Sequence, residues 1–201
     1  MWGPRLTEPL LRDRLRAATA ENHAALDAVA LTFDFESPSG YGRFLSASAV
    51  ALTPLELALE RAGVGAWLGD WPDRSRRAAL SSDLVALGLA PPVTAAEPTP
   101  SRGFGVGLLY VLEGSRLGAR FLARRVRRSA PGLPTGYLGH GDEADLWRSF
   151  LGWLEAQPKV GLRTDEALAG ARYGFQCFSA AFETAASPGV LNVRAGVRVR
   201  I

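Results

Sequence analysis

The chain has 201 residues, of which 47% are hydrophobic, and a formal net charge of +3. That length and apolar content suit one domain with a substantial core. The modest charge, with one dense arginine cluster at residues 120–128, argues against a nucleic-acid partner. The lone Cys177 excludes disulfides within the chain and favours a reducing compartment. No apolar run approaches a membrane span of about 18 residues, so we expect a cytoplasmic protein with no membrane partner.

Apolar residues recur at three- and four-residue spacing along most of the chain, which predicts an all-α, single-domain helical bundle. The predicted helices cover residues 8–30, 39–62, 73–88, 102–128, 142–156 and 163–186. Pro72 marks a predicted helix start, and "GLAPPVTAAEPTPSR" and "SAPGLPTGYLGHGDE" read as long connectors. The helical domain is therefore expected over residues 1–186, followed by a C-terminal tail over 187–201 without an assigned function.

The first predicted helix contains His23 on an apolar stripe with Leu15, Thr19, Leu26 and Ala30. This spacing predicts that His23 faces inward. Two interpretations are open for an inward histidine: a hydrogen-bonded core residue, or a metal ligand. Zinc would need three or four protein ligands, and the sequence contains neither HExxH nor CxxC. Haem supplies four nitrogen ligands itself, so that one axial histidine is sufficient.

Arg16 lies seven residues before His23, which places both on one helix face, roughly 10 Å apart. A separation of this order suits an iron ligand and a propionate partner, because arginine pairs well with carboxylates. A solvated arginine near the helix start is the alternative. The second histidine, His140, lies in a glycine-flanked loop, which predicts a solvated side chain.

The helix predicted at 102–128 carries a stripe of glycines at positions 103, 107, 114 and 118. Spacings of four, seven and four place these residues on one face. An interior glycine costs about 1 kcal/mol relative to alanine, so the stripe indicates a close approach of the backbone to something else. Another helix and a flat ligand both satisfy this pattern.

Four segments in this order resemble the haem oxygenase family: "LRAATAENHAALD", "GLLYVLEGSRLGARFLARRV", "LWRSFLGWLE" and "GARYGFQCFSAAFETA". They cover nearly the whole chain to about residue 186, and the second is the most specific. The resemblance is to the divergent, phytochrome-associated bacterial branch, and it implies a haem-oxygenase-like helical bundle. It also implies a functional link to a bacterial phytochrome.

The family opens haem oxidatively to biliverdin, carbon monoxide and ferrous iron, with dioxygen and electrons from a reductase or ferredoxin. Haem is therefore both the implied cofactor and the implied substrate, and an electron-donor protein is an implied partner. By the resemblance, His23 is the proximal ligand to the haem iron. Gly114, Ser115 and Gly118 belong to the bent segment of the distal helix over the haem.

The resemblance further implies haem contacts from the first helix, the helix at 102–128 and the last helix. The remaining expected cofactor-binding residues are Arg16, Thr19, Arg124, Arg125, Phe175 and Phe178. Of these, the arginines substitute for the lysines that the family often uses at the propionates. For the two phenylalanines, core packing is an equal alternative.

Ser115 departs from the better-known branch, which carries an aspartate there to hold waters that deliver protons. The divergent branch shares "EGS" at this point, and a hydroxyl can still order water. Ala119 stands where a further glycine is common. Two other functions remain open: a non-catalytic haem-binding or sensory protein, and a helical enzyme acting on another small molecule. The arginine cluster at 120–128 either stabilises a helix C-terminus or attracts an acidic ferredoxin.

Overall fold

The computed structural model describes residues 9–157 and 163–187. All regular structure in these ranges is helical, which confirms the predicted fold class. The elements are α1 (Leu11–Ala30), α2 (Pro38–Arg61), a 3₁₀ turn (Val64–Ala66), α3 (Trp71–Arg74), α4 (Arg77–Ala86), α5 (Arg102–Ser129), α6 (Leu146–Glu155) and α7 (Thr164–Ala186). None of these helices has the length and hydropathy of a membrane span. The predicted tail lies, from residue 188 onward, outside the described residues.

The helix predicted at 73–88 is in fact two helices, α3 and α4. The break has a physical cause in Glu56 of α2, whose buried carboxylate accepts hydrogen bonds from the backbone N–H groups of Arg76 and Arg77 at 2.8 and 3.1 Å. These bonds satisfy donors at the start of α4 that have no partner within the helix. Pro72 lies in the first turn of α3, as predicted.

Helix α7 is the centre of the bundle, because α1, α2 and α5 all pack against it. Its buried Phe182 lies against Phe33 and Phe44, with ring centroids 5.6 and 5.3 Å away. In contrast, α1 and α5 hardly pack on each other within the described residues. The relative position of α1 and α5 is therefore set by α7.

The close approach of α5 to α7 explains the first half of the glycine stripe. A methyl group at Gly107 would overlap the Ala167 carbonyl oxygen, and one at Gly170 would overlap the Phe104 carbonyl oxygen. A methyl group at Gly103 would meet the Glu166 side chain of α7 at 2.6 Å and the Arg163 carbonyl oxygen at 3.2 Å. The two backbones are thus in direct contact, and the helix-packing interpretation is confirmed for Gly103 and Gly107.

The connector between α4 and α5 has no regular structure, as predicted, and is held on the surface through Glu97. The Arg61 guanidinium donates to its carbonyl oxygen at 2.5 Å, and the Tyr173 hydroxyl donates to its carboxylate at 2.6 Å. Cys177 is half-buried nearby, and burial raises the pKa of its thiol.

Gly107→Ala should lower the free energy of unfolding by about 1–3 kcal/mol or more, because the new methyl must push α5 away from α7. Gly118→Ala, in the same helix, is the matched control. Nothing lies within 4 Å of a methyl group at Gly118, so that this change should raise stability by up to about 1 kcal/mol. Urea denaturation of the ligand-free proteins measures both effects, and equal midpoints for the two variants would contradict the packing argument.

Candidate active site

Helices α1 and α5 both pack on α7 but hardly on each other within the described residues, which leaves a groove between them that we call the cleft. At one end, burial raises the pKa of Tyr110 of α5, and Arg16 of α1 lies close enough for its positive charge to oppose this shift. At the other end, the Arg125 guanidinium lies 5.3 Å from the centre of the Phe35 ring, just beyond α1. The segment 114–121 of α5 therefore lies opposite the middle of α1, where His23 is located.

The α5 side of the cleft is apolar and open. The side chains of Leu117 and Phe121 are 51% and 56% exposed. Gly118 faces open space, and a methyl group at Gly114 would only touch the Trp147 ring, at 3.6 Å. Neighbouring exposed apolar residues of this kind mark a binding surface. The glycine stripe thus divides, since its first half contacts α7 and its second half faces the cleft.

His23 lies on the α1 side of the cleft with 62% of its side chain exposed. The prediction that it faces inward is wrong, and so is its interpretation as a core residue. Leu15 and Thr19 occupy the buried face of α1, whereas the helical rotation brings His23 to the edge of that face. Its ring lies beside Phe175 of α7, with centroids 5.8 Å apart.

Asp27 lies beside the His23 ring, one turn further along α1. Its carboxylate Oδ2 lies 3.0 Å from His23 Nδ1. The carboxylate therefore lies at Nδ1 and not at Nε2, which is the arrangement found for metal-ligating imidazoles, whose other nitrogen faces a carboxylate. Sequence reasoning missed Asp27, although the i, i+4 spacing on one helix was a readable signal.

Two of the expected haem contacts are core residues. Thr19 is buried, and its hydroxyl donates to the Leu15 carbonyl oxygen at 2.8 Å. Phe178 is also buried and packs against Phe182, with ring centroids 6.1 Å apart. Neither side chain has surface left for a ligand. Phe175 is buried as well, but it lies beside His23 at the base of the cleft.

The predicted propionate partners lie at opposite ends of the cleft. Arg16 is exposed near Tyr110, whereas Arg125 is half-buried against Phe35. Residues 110 and 125 are roughly 22 Å apart along the axis of α5. One pair of adjacent propionates cannot reach both ends, so Arg16 and Arg125 do not act together. Arg124, next to Arg125, is exposed.

Ser115 is half-buried and turns its hydroxyl toward a buried ionic network on the flank of α5. Its Oγ accepts a hydrogen bond from Arg76 Nη2 and donates one to the Leu112 carbonyl oxygen, both at 2.8 Å. Arg76 is almost fully buried, at 1% exposure. Sequence reasoning missed Arg76, because no motif connects the α3–α4 segment to α5.

The rest of this network is centred on the buried carboxylate of Glu113. Arg74 donates to it at 2.6 Å, and Arg116 donates to both of its oxygens, at 2.8 and 3.0 Å. Arg74 also donates to the carboxylate of Asp70 twice, at 2.7 Å each. These bonds connect α3 to the segment of α5 that carries Gly114, so that the segment is held from behind.

His140 belongs to the same network, which corrects its prediction as a solvated loop residue. It is half-buried, and Arg116 Nη1 donates to its carbonyl oxygen at 3.2 Å. Burial, followed by the positive charges of Arg116 and Arg76, lowers the pKa of the His140 imidazole below its ordinary value.

Comparison with known proteins agrees with this architecture. A haem oxygenase of Xanthomonas campestris pv. campestris (strain 8004) is 38% identical over 123 residues, which are 59% of this chain and 73% of that protein. The structure of the NO- and CO-bound haem oxygenase of Neisseria meningitidis matches with a TM-score of 0.73 and 26% identity, over 94% of this chain and 98% of that one.

A second solved structure, the haem oxygenase of Leptospira interrogans, matches with a TM-score of 0.66 and 19% identity, over 87% of this chain and 98% of that one. No family model matches the chain. The structural likenesses define the class as the helical haem oxygenase fold. With the sequence identity to the Xanthomonas protein, the chain belongs to the haem oxygenase family. It is an oxidoreductase that opens haem to biliverdin, carbon monoxide and ferrous iron.

The His140 imidazole should titrate with a midpoint below 6.5 in the folded, ligand-free protein, because burial and two arginines disfavour its charged form. Below pH 6.5 the unfolded chain then binds more protons than the folded one, so that the free energy of unfolding falls as the pH drops toward the folded pKa. NMR titration of the imidazole measures the midpoint, and a value at or above 6.5 would contradict the assignment. His140→Asn should flatten the pH dependence of urea denaturation in this range.

Proposed function

We propose that haem binds in the cleft between α1 and α5 and that His23 is the proximal ligand of its iron. The observation that carries this proposal is the exposed imidazole of His23, with the Asp27 carboxylate 3.0 Å from its Nδ1, opposite the open apolar face of α5. A cleft with one free imidazole nitrogen on one wall and glycine backbone on the other fits a planar ligand. Haem supplies the redox-active iron, and the protein supplies the ligand and the shape.

On the distal side, we propose that Gly114 and Gly118 let the backbone of α5 approach the ring plane. The open space at Gly118 supports this, because a side chain there would occupy the cleft. Leu117 and Phe121, exposed on the same face, provide apolar surface for the macrocycle. Haem bound in the cleft would cover these two side chains and shield them from water.

For the propionates, we propose the Arg16 end of the cleft. Arg16 lies on the same helix as His23, and its charge and that of Arg12 both oppose the rise that burial causes in the pKa of Tyr110. Arg125 is engaged with Phe35, and its positive charge adds to the Ser37 side-chain hydrogen bond in lowering the pKa of Asp34. This arrangement removes Arg124 and Arg125 from the proposed propionate contacts.

We propose that the electron donor is an acidic protein that docks on the C-terminal end of α5. Arg120 and Arg127 lie 3.2 and 3.8 Å from Asp142 oxygens, whereas the exposed Arg124 and Arg128 make no ion pair within the described residues. These two cations are available to a partner, and together with their neighbours they create a positive surface at one end of the cleft.

We also propose that the chain belongs to the divergent bacterial branch and is linked functionally to a bacterial phytochrome. The support is "EGS" at residues 113–115, where the better-known branch carries an aspartate. The missing carboxylate does not change the expected reaction. In the presence of hemin, reductant and oxygen the chain should form biliverdin, and a stable oxygenated complex without bilin would contradict turnover.

His23→Ala should abolish the histidine-ligated Soret spectrum of the hemin complex, and added imidazole should restore it, because the free ligand can occupy the vacated position. His140→Ala is the matched control, since it changes the other histidine of the chain and should leave the ligation spectrum unchanged. Optical titration with hemin measures stoichiometry and ligation together. An unchanged spectrum in His23→Ala would refute the ligand assignment.

Turnover driven by an acidic ferredoxin should fall steeply with ionic strength, because salt screens the attraction between exposed charges. At low salt, Arg128→Glu should raise the KM for the ferredoxin with little effect on hemin affinity. Arg43→Glu changes an exposed arginine on α2, outside the cluster, and should leave this KM unchanged. Steady-state assays at several salt concentrations test the proposal, which fails if turnover is independent of salt.

A further inference from the structure

The buried guanidinium of Arg76 differs from the other buried arginines in its partners. Its Nη2 donates to the Leu112 carbonyl oxygen and to Ser115 Oγ, and its Cζ lies 5.3 Å from the centre of the Tyr137 ring. Within the described residues, no carboxylate pairs with this guanidinium. A charge that is removed from water without a counter-ion is unfavourable, so its position needs an explanation.

The nearby carboxylates are engaged elsewhere. Glu113 is shared by Arg74 and Arg116. Glu56 binds the backbone N–H group of Arg76 rather than its guanidinium, and also accepts from Ser75 at 2.6 Å. The Glu56 carboxylate therefore lies at the backbone end of Arg76. The guanidinium of Arg76 extends to α5 and donates to Ser115, the residue after Gly114.

This contact limits what Ser115 can do. A serine hydroxyl has one proton to donate and two lone pairs to accept. The proton is directed to the Leu112 carbonyl oxygen, and one lone pair accepts from Arg76. Ser115 can thus accept one further hydrogen bond, but it has no proton to donate toward the cleft while both bonds are intact.

We propose that Arg76 is a positioning residue of the distal side, which fixes Ser115 as a hydrogen-bond acceptor and makes this wall of the cleft electropositive. The proposal rests on the haem site proposed above. A neutral hydroxyl backed by a buried cation stands where the better-known branch has a carboxylate. Arg76 therefore brings a positive charge to a place where that branch has a negative one. The cleft should favour anions beside α5.

Anion binding to the ferric hemin complex tests this charge without turnover. At one fixed pH, Arg76→Met should weaken the affinity for azide and fluoride by about threefold or more, because it removes the positive charge. Arg76→Lys should restore the affinity to within about twofold of the original. Ser115→Ala should retain most of it, because Arg76 is still present. Wild-type anion affinity in a folded Arg76→Met variant would overturn the proposal.

A second comparison remains informative if the Arg76 variants do not fold. Ser115→Asp places a carboxylate beside the unpaired guanidinium, whereas Ser115→Asn places a neutral side chain of the same size there. At pH 7, Ser115→Asp should unfold at an equal or higher urea concentration than Ser115→Asn, since the carboxylate gains an ion pair. A clearly lower midpoint for Ser115→Asp would show that Arg76 presents no unpaired charge at this position.

Hemin titration of the wild-type chain separates this proposal from the haem site itself. If the wild-type chain binds no hemin in a histidine-ligated form, the proposed site is wrong and the anion experiment has no complex to probe. In that case the urea comparison of the two Ser115 variants still tests the charge at Arg76. If hemin binds and both experiments give the opposite results, only the role of Arg76 is wrong.

Discussion

The direct contact between the backbones of α5 and α7 is the constraint on which the rest of the site depends. Glycine is required at Gly107 and Gly170 because each faces a carbonyl oxygen of the other helix. Helix α1 also packs on α7 but hardly on α5. The cleft lies between α1 and α5, with the later glycines of the same stripe on its wall.

A helix with glycines at 114 and 118 is weak by propensity, and the buried network behind it compensates for this. Glu113 and Arg116 connect the segment to Arg74 at the end of α3. The polar network thus holds the segment around Gly114 and Gly118 in place, where the lack of side chains leaves the backbone exposed. Its third arginine, Arg76, adds a charge to that segment rather than an ion pair, so that stability and electrostatics come from the same cluster.

Most of the fold was predictable from spacing, because helical periodicity and breaker residues are local properties. The site was predictable in part. His23 was identified as the candidate ligand, but its exposure was not, since the residues that leave it open belong to α5 and α7. Thr19 was expected at the haem from the resemblance, but it lies on the buried face of α1. The spacing of the glycine stripe in α5 could not distinguish a helix contact at Gly107 from an open cleft at Gly118.

The sequence by itself determined the helices, the single histidine on the first of them and the family resemblance, because these depend on residue order along one chain segment. Only the tertiary structure decided which face of each helix is covered and which arginines share a carboxylate. Arg76 and Ser115 are 39 positions apart, and their contact exists only because α2 holds the start of α4 beside α5. Burial and charge pairing are properties of such distant contacts, and no local pattern encodes them.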